Sequence, residues 1–416
     1  MTGGTGGRFS LGRRAAVLRH DNFRLLFLAT LGSGVGTWMA TIALTIDITS
    51  RTGSPWWVST LFLVTFLPSV VVGLAAGPLV DRLSRKRLIV SADLARFVVF
   101  ALLPFAHTAL EIVLLAGVAG TANSFFRPAV LAGVPNLLDE AELAAGTSLL
   151  QASDWLATAV GPVVGGAIVS ASSEHLVYWI NAVTFLFSAA LLLQIPARFL
   201  QSEQGITRGH WRDLVEGLAA FKQSRALLIV LAAFGLTMLA SGLVNVSEIF
   251  LATRSLDSGA FGYGLLWTAT GIGLVGGSLV TSALLERRQV VRIYPFVFAP
   301  WAAGILGASI SPNIWVAALA MVLAGFGNGL AFPMTVLIVQ QHTSDRLRGR
   351  AFTVIISAHN ALLGVAMILA GALTNATGAR WTYAIAGTLT AAGGVTAYML
   401  ARGVAPPPGV AAEPAA

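Results

Sequence analysis

Hydrophobic positions in this 416-residue chain fall into long unbroken runs, with polar residues gathered at the breaks between them. Walking from one polar or Pro/Gly break to the next gives twelve runs, near 25–48, 56–80, 88–106, 110–132, 143–171, 176–195, 226–250, 261–285, 292–310, 314–340, 351–374 and 380–401. Each is long enough for a helix of roughly 17–25 residues to cross a hydrocarbon layer. Two divisions carry little polar material, "ALLPFAHTALEIVLL" and "ASISPNIWV", as short turns would. One long polar connector, 196–225, contains "WRDLVEGLAAFKQ", which has the period of an amphipathic surface helix. It divides the runs six and six. The expected organisation is therefore a segment 1–24, a six-helix bundle 25–195, the linker 196–225, a second bundle 226–401 and a Pro/Ala-rich tail 402–416 read as disordered. The first apolar run is too long for a signal-peptide core and reads as a retained helix.

Composition agrees, since 56% hydrophobic residues, 11% charged residues and a mean hydropathy of +0.79 lie far outside soluble globular usage. The fold class is an all-α membrane protein of twelve transmembrane helices. The sequence has no cysteine, which excludes disulfides, thiolate metal sites and cysteine nucleophiles together. The net charge of +8 is explained by orientation. With the N-terminus in the cytoplasm, 21 of the 26 Lys and Arg fall in inner segments and only Arg51, Arg254 and Arg380 fall outside, a positive-inside pattern that argues against a nucleic-acid partner. The chain is thus expected to be a multi-pass protein of the cell (inner) membrane with both termini cytoplasmic. No zincin, nucleotide-binding-loop or nucleophile-elbow spacing occurs, so neither an enzyme nor a cofactor is expected.

An internal repeat supports the division. Shifted by 200 positions, "VVGLAAGPLV" meets "GIGLVGGSLV", matching Gly73 to Gly273 and Gly77 to Gly277. Glycines four apart let another helix approach closely in lipid. The first copy continues into Asp81, Arg82, Arg85, Lys86 and Arg87. The later basic residues suit the anionic inner leaflet, whereas Asp81 reads as a charged latch at the membrane edge. In the fifth run, Ala157, Gly161 and Gly165 form a small-residue stripe, Gly166 follows, and Pro162 removes a backbone hydrogen bond, so this helix is built to pack tightly and bend. Gly273 and Gly277 are the surface expected to face it.

The run Gly77-Pro-Leu-Val-Asp81-Arg82-Leu-Ser84-Arg85-Lys86 resembles the loop between the second and third helices of the major facilitator superfamily, with Ser84 where that family usually has glycine. "GPVVGG" at 161–166 resembles the Gly-x-x-x-Gly-Pro-x-x-Gly-Gly motif of its drug/proton antiporters, with Ala157 at the first glycine. "FFRPAVLAGVPNLLDEAELAAGTSLLQ" and "DRLRGRAF" are similar to the macrolide-efflux and enterobactin-exporter branch, and the likeness runs from Phe23 to about Leu400. It implies two pseudo-symmetric bundles around a cavity, working as a monomer by alternating access and exchanging inward protons for an amphipathic small molecule outward. A dedicated siderophore or natural-product exporter, or a non-transporting receptor on the same scaffold, are the other readings.

Charges inside the runs are few and costly, so each asks for a partner or a use. Asp93 and Arg96, three apart, are expected near the inner end of the third run, joining Asp81 in a gate. Arg127 and Asp154 sit on neighbouring runs away from loop water and are placed to pair, either as a static bridge or as a proton-coupled switch. Glu248 and Asp47 end runs on the outer side, where each is expected to reach water, Glu248 remaining a proton-coupling candidate. His359 reads as a hydrogen-bonded core histidine ahead of a proton carrier. Trp38, Phe125, Phe126, Trp155, Trp267 and Phe332 are candidates to line an apolar cavity.

Overall fold

The structure is a computed structural model, and it describes residues 16–75, 84–197, 200, 224–285, 290–343 and 345–402. The linker's amphipathic stretch, the C-terminal tail and Gly77, Asp81 and Arg82 lie outside the described residues. Twelve helices are long and apolar enough to cross a membrane. They are α1 (Asp21–Thr52), α2 (Pro55–Ala75), α3 (Arg85–Leu102), α4 (Ala109–Gly133), α5 (Leu143–Ala171) and α6 (Glu174–Gln194) in the first bundle. The second bundle has α7 (Arg225–Phe250), α8 (Gly259–Leu285), α9 (Val290–Ser309, interrupted by a tight turn at Tyr294–Val297), α10 (Ile314–His342), α11 (Asp345–Thr377) and α12 (Ala379–Ala401).

Local chemistry explains where several helices begin and end. Gly53, at φ +61°, closes α1 in the left-handed conformation that glycine adopts without strain. Thr108 and Glu111 form a capping box at the start of α4, and Asn313 caps α10 by accepting from Trp315 N and Val316 N at 3.1 Å. These are the two short connections that the sequence marks only faintly. Along α1, Ser33, Thr37, Thr41, Thr45 and Thr49 each donate their hydroxyl to the carbonyl four residues back, at 2.7–2.9 Å. A polar stripe can therefore lie in lipid depth without orphaned hydroxyls.

Packing repeats when every helix number is raised by six. In the first bundle α1 packs on α5 and α6, α2 on α4, and α3 on α4 and α6. In the second, α7 packs on α11 and α12, α8 on α10, and α9 on α10 and α12. The two bundle-to-bundle contacts, α5 with α8 and α2 with α11, obey the same rule. This is the structural form of the repeat between Gly73 and Gly273.

Because successive spans alternate in direction, the chain has two faces. On the linker face, where α1 begins and α6 ends, His20 Nε2 meets Glu142 Oε2 at 2.8 Å, Arg85 donates to Ala132 O at 2.9 Å, and Lys86 donates to Leu193 O at 2.7 Å. On the far face Arg51 donates to His107 O at 3.0 Å, Arg380 to Ser309 O at 2.9 Å, and Arg254 reaches across the bundles to Gly53 O at 2.5 Å.

Candidate functional site

The bundles touch only in the half nearer the far face. Helix α5 stands at this seam and stays continuous through Pro162. One side of it packs on α1 of its own bundle. A Cβ on Gly161 would lie 2.6 Å from Trp38 Cβ, and one on Gly165 would lie 2.7 Å from Met39 O, while Ala157 faces Gly34. The other side meets α8 of the second bundle: a Cβ on Gly166 would lie 2.5 Å from Ala260 O, and one on Gly271 would lie 3.1 Å from Ala159 Cα. Gly264 abuts the Pro162 carbonyl. Two hydrogen bonds cross the same seam, Val163 N to Thr268 Oγ1 at 3.2 Å and Phe261 N to Ser170 Oγ at 3.0 Å. On the symmetric side a Cβ on Gly371 of α11 would lie 2.6 Å from Ser59 Oγ of α2.

This corrects the expected partner of α5. Gly273 and Gly277 do not face it. Cβ atoms there would lie 2.7 Å from Phe326 N and 3.0 Å from Leu330 N, both on α10. The repeated glycines serve packing inside the second bundle, and Gly264 and Gly271 make the seam.

Toward the linker face the bundles separate around three adjoining cavities of about 250, 360 and 600 Å³. Trp38 borders all three, and its ring lies 5.2 Å from that of Trp267, which comes from the other bundle. Phe126, Trp155 and Phe332 join them in the walls, as the sequence suggests, and Phe125 lies outside those linings. The hydroxyl stripe of α1 faces the same space through Thr37 and Thr41. Sequence reading missed that stripe, although its spacing of four was visible. It also missed the amides Asn123, Gln151, Asn245 and Asn328, which give the apolar walls isolated points of polarity.

Of the charged candidates, Arg127 and Asp154 do pair, Nη2 to Oδ2 at 2.6 Å. Their side chains are 53% and 33% exposed, however, on the wall of the open cavity. The expected dry setting is therefore corrected to a wet one, where an ion pair contributes at most about 1 kcal/mol to stability.

Asp93 and Arg96 form the dry pair. Asp93 is bonded to Arg96 and accepts from Ser188 Oγ at 2.6 Å; Arg96 also donates to Asn123 Oδ1 at 3.2 Å and lies between the rings of Phe126 and Phe185 at 4.3 and 4.4 Å. The pair sits about 12–16 Å along α3 from Arg85, inside the bundle and not at the membrane edge where a gate was expected. Asp93→Ala is expected to cost about 3–5 kcal/mol, because it strands a guanidinium that is 4% exposed. Thermal unfolding in detergent should show a clear drop; an unchanged transition would contradict this placement.

Asp47 does not reach water either. It is buried, paired with Arg51, and accepts from Tyr178 Oη at 2.9 Å. Glu248 is 2% exposed and its Oε1 has no hydrogen-bond partner, so the outward-reaching role expected of it is also corrected. The helix does not end beside it: α7 runs on into a wide turn at Leu251–Ser255, which carries the chain to the far face. His359 lines the largest cavity with its ring 5.5 Å from Phe234, and no hydrogen bond to it occurs among the described residues, contrary to a hydrogen-bonded core histidine.

Twelve helices, two bundles superposable by a shift of six, and a central cavity closed at one face define a secondary transporter of the major facilitator fold. Residues 13–405 match the family described as "Transmembrane secretion effector", and the chain belongs to it. It is 28% identical over 376 residues to the multidrug efflux pump Tap of Mycobacterium tuberculosis, covering 86% of this chain and 88% of Tap. It is 27% identical over 383 residues to Tap of Mycolicibacterium fortuitum, covering 86% and 90%. Among solved structures, the nucleoside transporter NupG aligns over 92% of this chain and 100% of its own at TM-score 0.72 and 16% identity. A bacterial homologue of the iron transporter ferroportin, in its inward-facing state, aligns over 92% and 99% at TM-score 0.74 and 11% identity. At such identities these structures share the fold.

Proposed function

We propose that this transporter exports an amphipathic small molecule in exchange for protons, by alternating access, as a monomer in the cell (inner) membrane. The observation that carries the reading is the aromatic-walled central cavity, open on the linker face and closed by the α5–α8 and α2–α11 seams. The crowding of basic residues on the linker face supports a cytoplasmic position for it and for both termini. The chain is then inward-facing, ready to take substrate from the cytoplasm or the inner leaflet. The efflux role named for Tap supports the direction.

Segments 1–24, 196–225 and 402–416 flank and join the bundles 25–195 and 226–401 in this reading. Gly73, Gly77, Asp81, Arg82 and Arg85 form the inner gating motif, and Ala157, Gly161, Pro162, Gly165 and Gly166 form the sliding seam. Asp93 and Arg96 brace the first bundle behind the cavity. Arg127 and Asp154 are the proton-coupled pair: a proton arriving at Asp154 neutralises it and frees Arg127, and the cavity supplies the water through which that proton travels.

Counterflow tests the reading against a receptor. Proteoliposomes loaded with unlabelled ethidium should transiently accumulate labelled ethidium without any gradient. Saturable binding with no accumulation would favour a receptor.

A further inference from the structure

Glu248 lies at the closed end of the largest cavity, on the last full turn of α7. Three other polar groups nearby share its condition. The hydroxyls of Tyr263 on α8 and Tyr383 on α12 and the Trp267 indole N–H are all buried without a hydrogen-bond partner. Both tyrosines lie within electrostatic reach of Glu248. One carboxyl and three donors, dry and unmatched, cost stability wherever they occur, and such groups ask for a ligand that completes them.

Charge accounting says what kind. Both arginines in the cavity walls are already matched, Arg96 by Asp93 and Arg127 by Asp154. Glu248 has no basic partner among the described residues, and the remaining titratable groups facing this lobe are Tyr263, Tyr383 and His359 on α11. Ionised, it is the one uncompensated charge of the cavity. The walls add the faces of Trp38, Trp155, Phe234, Trp267 and Trp301, which attract a cation through the ring quadrupole.

The geometry points to Glu248 as the recognition group for an aromatic organic cation, which displaces the proton held on the carboxyl. The O–H bond breaks, its proton leaves to water in the open cavity, and the carboxylate keeps the electron pair and faces the incoming cation. Proton and substrate thus compete for one site. The inference deepens the export reading and rests on it for direction, though not for binding.

The test uses purified full-length protein in weakly buffered detergent, with tetraphenylphosphonium as a permanent cation and triphenylphosphine oxide as its neutral counterpart. Wild type should bind the cation more tightly as pH rises and release one proton per cation bound, read with a pH indicator; the oxide should release none. Glu248→Gln should weaken cation binding about tenfold or more and abolish proton release, while oxide binding changes by less than about twofold, which also shows the variant is folded. Glu248→Asp should recover part of the cation affinity. Retained cation affinity and proton release in Glu248→Gln would overturn the proposal, as would a wild type that binds neither probe or both alike without pH dependence. Intact binding and proton release in a protein that moves nothing across liposomes would sink the export reading and leave the site standing.

Discussion

Asp154→Asn is expected to abolish pH-gradient-driven accumulation of substrate while leaving downhill movement within a few-fold of wild type. The pair it disrupts is well formed, at 2.6 Å, yet half exposed to the cavity. A bridge in that position contributes at most about 1 kcal/mol, so loss of stability is not enough to explain a large transport defect. What the variant loses is a group that can be charged or neutral on the side of the membrane facing the cavity. Arg127→Gln should resemble it, because Arg127 then no longer responds to the charge at position 154. The comparison that decides is thermal stability beside driven efflux in the two single variants and the double. Stability near wild type with accumulation lost in all three supports coupling. Full recovery of driven efflux in the double variant would make the bridge structural.

The second large effect is expected at the α5–α8 seam. Gly264 abuts the Pro162 carbonyl, and Gly166 leaves 2.5 Å between a notional Cβ and Ala260 O. Gly264→Leu cannot fit unless the two helices part, as they must do whenever the far face opens. Overpacking of this kind costs about 1–3 kcal/mol, borne by the closed seam alone, which is roughly a 5- to 150-fold shift toward the outward-open form. The absence of native cysteine makes the readout simple. Thr268→Cys beside the seam should label faster from the far face in the Gly264→Leu background, and Gln151→Cys on the cavity wall should label more slowly from the linker face. Unchanged rates at both positions would show that the seam yields without biasing the cycle.

The spans were legible because hydropathy and the spacing of turns suffice to find a helix in lipid. The repeat was legible because Gly73 and Gly273 kept their surroundings. Partners were harder. A small-residue stripe announces that something approaches closely and is silent about what: Gly273 and Gly277 look like the mate of α5 in sequence and pack on α10 in space. Asp47 seemed free to reach water because the hydroxyl that holds it, on Tyr178, is 131 positions away. Glu248 seemed terminal because apolar residues run out soon after it, whereas the wide turn at Leu251–Ser255 leaves it inside. The expected hydration of Arg127 and Asp154 failed for the opposite reason. Both lie in apolar sequence, and only the splaying of the bundles exposes them.

The central claim is proton-driven export through the cavity, and its most direct test is accumulation against a gradient. Wild-type protein is reconstituted with the linker face outward into liposomes of acidic interior, the membrane potential is clamped with valinomycin and equal potassium, and ethidium is added outside. The account predicts ethidium concentrated inside above its external level, collapsing when a protonophore dissipates the pH difference. Equal concentrations on both sides with the gradient intact, in protein that binds ethidium, would contradict it.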